Sequence, residues 1–114
     1  MDAPVRLERL REVSLEDEEF MHELIEIFLA DAPEQLLALE RALADGDGDA
    51  FWRTAHRLKG SSGSMGADRL ADICRQLEQL GQDSRLIEAP EAMRMLGGEY
   101  GRVREYLENL RTTA

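Results

Sequence analysis

Residues 51–65 read FWRTAHRLKGSSGSM, and the spacing inside this stretch decides what the chain is built from. Phe51, Ala55, Leu58, Ser62 and Met65 recur at intervals of four, three, four and three. That interval pattern is one face of an α-helix; a half-buried strand would alternate at every second residue instead. His56 sits about 100° round the helix from Ala55 and away from Leu58, on the side of Trp52, Arg53, Lys59, Gly60 and Gly63. The stretch therefore predicts a helix whose imidazole stands on the solvent side or at the flank of a bundle.

Upstream, the run DGDGD at residues 45–49 marks where one helix stops and the next is capped. Asp45, Asp47 and Asp49 have the spacing of the first three ligands of a calcium loop. Ala50 then occupies the sixth position, where such a loop needs glycine, and His56 the twelfth, where it needs glutamate. A helix stop followed by an aspartate cap is the better reading, and no metal site is expected. The helix of the opening stretch accordingly runs from about Gly48 to Ser64.

The same three-and-four spacing covers the rest of the chain, and no strand signal stands out. A short first helix spans Val5 to Arg11, with Leu7 and Leu10 inward. Ser14 followed by Asp17 reads as an N-cap with an acid in the first turn. The helix after it covers about Leu15 to Ala30, with Phe20, Leu24, Ile27 and Phe28 inward. Asp31 and Pro33 mark a fresh start, because proline is tolerated in a first turn and not mid-helix. The segment that follows carries Leu36, Leu37, Leu39 and Leu43. Beyond a turn at Met65-Gly66 lies a helix over about Ala67 to Gly81, with Leu70, Ile73, Leu77 and Leu80 inward. The last helix begins near Pro90 and repeats Met93, Leu96, Tyr100, Val103, Leu107 and Leu110. Gly97, Gly98 and Gly101 weaken it and mark either a bend or close packing. The fold class expected is all-α: an antiparallel four-helix bundle, core about residues 15–111, with a short N-terminal helix packed on it.

Composition bounds the function. The 114 residues make one domain with a single modest core, and 43% of them are hydrophobic. Lys and Arg number 14 against 24 Asp and Glu, a formal charge of −10. Such a balance argues against nucleic acid and against anionic membranes. No apolar run approaches the roughly 20 residues that span a bilayer, and MDAPVRLERL has no apolar signal core. The expectation is a soluble, cytoplasmic, monomeric protein, and the initial Met and short length lean toward a stand-alone chain. Cys74 is alone, so no intramolecular disulfide forms.

In so acidic a chain, His56 stands among Arg53, Arg57 and Lys59. Arg53 and Lys59 lie three residues to either side, on its own helix face. Neutral imidazole is a good nucleophile near pH 7, and neighbouring cations offset the charge of a phosphoryl group placed on it. Gly60 and Gly63 leave a bare strip beside the ring, where another protein's backbone can approach. His22 provides the contrast: Glu18, Glu19, Glu23 and Glu26 surround it, so it reads as a surface partner for acids on its own helix. From the residues alone, His56 is either a chemical centre or an incidental surface histidine.

The stretch AHRLKGSSGSMGA at residues 55–67 closely resembles the signature of histidine-containing phosphotransfer (HPt) domains, and IFLADAP at 27–33 resembles a helix junction of the same family. The resemblance extends over about residues 5–110, with no break in the core motif. It implies a helical bundle that relays phosphoryl groups between receiver-domain aspartates of a two-component phosphorelay. By that resemblance His56 is the phospho-acceptor, at Nε2. Lys59 steadies the phosphoryl oxygens, and Gly60 lets the receiver dock. Ser61 and Ser62 are assigned to packing. Some family members orient the imidazole with a polar residue 22 positions later, often glutamine. Here that residue is Glu78, which either accepts the Nδ1 proton or stands as an exposed acid pairing with Arg75 or Gln82. Docking is expected on the face around His56, with Arg53, Arg57 and Gly63. Leu7, Leu10 and Val13 of the first helix either join it or merely cap the bundle, and Trp52 either frames the site or folds back on the core.

The implied partners are response-regulator receiver domains and a sensor or hybrid histidine kinase. No cofactor is expected on this chain, since Mg²⁺ belongs to the receiver's acidic pocket. No P-loop or glycine-rich nucleotide loop is present, so no kinase activity of its own is expected. Two other readings compete: a scaffold that sequesters a regulator without accepting phosphate, and a substrate module of a chemotaxis-type kinase.

Overall fold

In the computed structural model, which describes residues 2–113, Pro33 does not end a helix. A single helix, α2, runs through it from Glu18 to Asp45. Its buried side chains are Met21, Ile25, Phe28, Ala32, Gln35, Leu39 and Ala42. They follow one another at intervals of four and three across the proline, so the apolar face is continuous where the predicted break lay. A mid-helix proline costs about 3 kcal/mol. Burying Met21, Ile25, Phe28 and Leu39 contributes about 1.5–3 kcal/mol each, which outweighs it. The predicted stripe was one position out of register over its first turns. Phe20 and Ile27 are exposed, Leu24 is half-buried and only Phe28 belongs to both faces; Leu37 is exposed as well.

The other elements follow from their local signals. Helix α1 covers Leu7–Val13, shifted from the expected Val5–Arg11, and ends on the buried Ser14. Ser14 is therefore no N-cap: Asp17 caps α2, accepting a hydrogen bond from the Phe20 N–H at 3.0 Å. Helix α2 stops at Gly46, whose φ of +67° is the left-handed conformation that terminates helices. Asp47 then caps α3, Gly48–Ser64, by accepting from the Ala50 N–H. The DGDGD run is thus a stop and a cap, as its sequence suggested.

Helix α4 covers Asp68–Gln82, a single 3-10 turn spans Leu86–Glu88, and α5 covers Ala89–Thr113. No strand occurs among the described residues. Helix α2 packs on α3, α3 on α4 and α4 on α5, and α2 closes the ring against α5, with α1 laid on α2 and α3. The result is the expected four-helix bundle with a short N-terminal helix. The 28 residues of α2 predict about 42 Å of helix. The longest dimension of the molecule is 43 Å, so α2 sets it.

Two glycines allow close approaches. A Cβ on Gly81 would lie 2.8 Å from the Trp52 Cβ, so α3 and α4 touch almost backbone to backbone there. Gly66, at φ +76°, turns α3 into α4, and a Cβ on it would lie 2.5 Å from the Arg6 carbonyl oxygen. The Arg6 N–H donates to the Gly66 carbonyl at 2.8 Å, and the Arg6 side chain pairs with Asp68. The N-terminal segment is thereby tied to the α3–α4 turn. Gly97, Gly98 and Gly101 face open space inside an unbroken α5, so close packing does not account for them.

Candidate functional site

Helix α3 buries Phe51, Ala55, Leu58 and Ser62, as its spacing predicted, and the opposite face carries His56. The His56 side chain is 61% exposed. Antiparallel packing of α3 on α4 determines what it meets. His56 lies eleven residues before Ala67 in the connecting turn, and Glu78 lies eleven after it. Residues equidistant from a tight helical turn face one another.

Glu78 uses both carboxylate oxygens. Oε2 lies 2.7 Å from His56 Nδ1, and Oε1 accepts from Lys59 Nζ, also at 2.7 Å. Glu78 itself is only 8% exposed. Burial alone raises its pKa, but hydrogen bonds and charge from Lys59 and His56 outweigh that and hold the carboxyl below its ordinary 4.5. The carboxylate is ionised at neutral pH and can only accept. Nδ1 must therefore carry the proton. In the neutral ring this leaves the lone pair on Nε2, on the other side of the imidazole from Glu78.

The alternative for Glu78, an exposed acid paired with Arg75, is not the arrangement found: Arg75 pairs with Asp72 at 3.6 Å. Below Glu78 on α4, Cys74 is fully buried, and desolvation pushes its thiol up to about 12. It stays a neutral thiol beneath the site.

The remaining predicted residues divide into two groups. Arg53, Arg57 and Gly60 are exposed beside His56, and Gly63 is half-buried. Beyond the backbone of α3 itself and the adjoining residues, no atom lies within 4 Å of where a Cβ would sit on Gly60 or Gly63, so the strip beside the ring is open. Trp52 is half-buried, with its Cβ against Gly81, its Nε1–H donating to Asp49 at 3.3 Å, and the Arg53 guanidinium 5.0 Å from its ring. It both packs on α4 and holds Arg53 at the rim. Of the two readings of the first helix, Leu10 follows the one in which it caps the bundle. Leu7 is half-buried against the core and Leu10 is completely buried, because α1 turns that side toward α2 and α3. Leu10 presents no surface to a partner.

Ser62 is buried and the Ser61 hydroxyl donates back to the Leu58 carbonyl at 3.2 Å, which are packing and helix contacts. His22 does not pair with the acids of its helix. Its ring is half-buried, and Nε2 is shielded without a hydrogen-bond partner. Among the described residues no group of three or more His, Cys, Asp or Glu is arranged to hold a metal ion. No described helix is long and apolar enough to cross a membrane. The Lys59–Glu78 pair was not anticipated. The signal for it was present: Lys59 is one helical turn from His56, so a residue facing one also reaches the other.

Known proteins place these features in context. The family profile described as "Hpt domain" matches residues 23–113. The chain is similar to histidine-containing phosphotransfer protein B of Pseudomonas aeruginosa PAO1, with 30% identity and a TM-score of 0.93 over 100% of this chain and 99% of that one. It also resembles the HPT domain of a sensor hybrid histidine kinase from Shewanella, with a TM-score of 0.84 over 98% and 97% of the two chains. At 16% identity that second likeness concerns the fold. No curated protein matches the sequence.

Proposed function

Since the chain belongs to the Hpt domain family and is a histidine phosphotransfer protein of phosphorelays, we propose that His56 Nε2 is the atom that carries the phosphoryl group. The observation that carries this reading is the 2.7 Å contact between His56 Nδ1 and the buried Glu78 carboxylate on an otherwise exposed ring. It holds the proton on Nδ1 and leaves Nε2 free for in-line attack.

The donor is the aspartyl phosphate of a receiver domain. The Nε2 lone pair forms a bond to phosphorus while the bond from phosphorus to the aspartate oxygen breaks, and the aspartate leaves as a carboxylate. Mg²⁺, held by the receiver's own acidic pocket, would offset the charge on the phosphoryl oxygens. Such transfer depends on positioning and charge stabilisation. Glu78 positions the ring. Lys59 Nζ has three donors and spends one on Glu78, so others remain for a phosphoryl oxygen. Arg53 and Arg57 add positive charge at the rim. The open strip at Gly60 and Gly63 accepts the receiver's surface.

The protein thus takes the phosphoryl group from one receiver aspartate, of a hybrid histidine kinase, and passes it to another, of a response regulator. The test is to mix the chain with a ³²P-labelled phosphorylated receiver and Mg²⁺. Acid-labile label passes to the wild type and not to His56→Gln. Receiver binding with no label on the wild type contradicts the proposal and supports sequestration.

A further inference from the structure

The Glu78 carboxylate constrains more than the resting ring. Its Oε2 lies 2.7 Å from His56 Nδ1, it is nearly buried, and its other oxygen is held by Lys59. A carboxylate so pinned offers Nδ1 only an acceptor. If Nδ1 lost its proton, two lone pairs would face each other at hydrogen-bond distance. A glutamine here would not be so restricted, because it can turn its amide to offer an N–H. An amide therefore suits both protonation states of the ring, whereas Glu78 suits one.

That difference matters once Nε2 carries phosphorus. The Nε2 electron pair then lies in the P–N bond, and with Nδ1 still protonated the ring is a phosphoimidazolium cation. Resting on the function proposed above, we infer that Glu78 keeps phosphorylated His56 in this Nδ1-protonated form, so that the protein holds its phosphoryl group as a labile, readily surrendered intermediate. When the P–N bond breaks toward a receiver aspartate, the electron pair returns to Nε2 and the leaving group is neutral imidazole. No proton moves in either direction of transfer. Without the Nδ1 proton the leaving group would be imidazolate, a far poorer one.

The surroundings agree with this assignment. Lys59 on α3 and Glu78 on α4 are the charged groups in contact, and Arg53 and Arg57 flank the ring on α3. Among the described residues, no side chain of α1, α2 or α5 is hydrogen-bonded or ion-paired to His56 or Glu78. The cations disfavour a positive ring, so Glu78 is the group that offsets it. Glu78 is a positioning residue on this account: it touches the imidazole and not the phosphorus.

The experiment uses chain with ring-¹⁵N-labelled histidine, phosphorylated with phosphoramidate as a small-molecule donor, in wild-type and Glu78→Gln forms, with His56→Gln to assign the resonances. At mildly alkaline pH the wild-type phosphorylated ring is expected to show a protonated Nδ1, and Glu78→Gln an unprotonated, imine-type Nδ1. The P–N bond of Glu78→Gln is expected to survive about threefold longer or more, as loss of a favourably placed proton slows group transfer. Circular dichroism establishes that both forms are folded. An imine-type Nδ1 in the phosphorylated wild type, or equal bond lifetimes, overturns the inference. Phosphoramidate labelling of His56 that no receiver can discharge overturns the relay reading instead, while the proton state is still read directly. A chain that takes no phosphoryl group on His56 overturns both.

Discussion

Lys59 Nζ and His56 Nδ1 are bound to opposite oxygens of one carboxylate, each 2.7 Å from Glu78. A single buried acid on α4 therefore fixes both functional side chains of α3. Truncating Lys59 leaves Glu78 its bond to His56, so the ring keeps its orientation while the nearest cation is lost. Lys59→Ala is expected to slow phosphoryl transfer at least about tenfold, the scale of removing one charge-stabilising donor. Rapid-quench transfer from a phosphorylated receiver measures it. An unchanged rate would show that Arg53 and Arg57 suffice.

Glu78 also makes stability depend on acid. Its folded-state pKa lies below the ordinary 4.5, so its stabilising contribution is fully present above that value. It fades as the pH falls below 4.5 and through the lower folded-state value, because the unfolded chain then binds a proton more readily than the folded one. The stability difference between wild type and Glu78→Gln should shift against the wild type as the pH falls below 4.5. Urea unfolding across a pH series gives the comparison. A difference that stays constant into the acid range would contradict the assignment.

Glycines separate docking from folding. Gly60 and Gly97 are both exposed on helices, with open space where a Cβ would be. Replacing either with alanine should stabilise the free protein by about 0.5–1 kcal/mol. Only Gly60 lies beside His56. Gly60→Ala, and more strongly Gly60→Leu, should raise the receiver concentration needed for half-maximal transfer, whereas Gly97→Ala should leave it unchanged. Equal effects at the two positions would remove the case for a docking strip.

At Gly66 a side chain has no room. The residue sits at φ +76°, and a Cβ would press on the Arg6 carbonyl at 2.5 Å, so alanine there strains the turn and lifts the N-terminal segment. Gly66→Ala should cost about 1–3 kcal/mol. A loss of less than half a kcal/mol by urea unfolding would mean that the segment is free to move away at little cost.

Much of this was legible in the residues, and the exceptions have physical causes. The bounds of α3 could be read because Asp47 caps it, Gly46 closes the helix before it, and its apolar stripe is unambiguous. Proline 33 misled, because the local rule against a mid-helix proline ignores a burial stripe that continues on both sides of it. Leu10 stood between a docking face and a cap on the bundle, because spacing shows which residues share a side and not what that side faces; α1 turns it inward. Glu78 could be named as a partner for His56 only through the resemblance. Its second bond, to Lys59, then follows from the one helical turn between Lys59 and His56, with α3 and α4 held in register by close packing at Gly81 and Trp52.

The most direct test of the account is to locate the phosphoryl group. After exposure to a phosphorylated receiver, ³¹P NMR and peptide mapping under alkaline conditions should find one acid-labile phosphoramidate, on Nε2 of His56. Phosphate on Nδ1, on His22 or on any hydroxyl would contradict it, as would a chain that binds the receiver and acquires none.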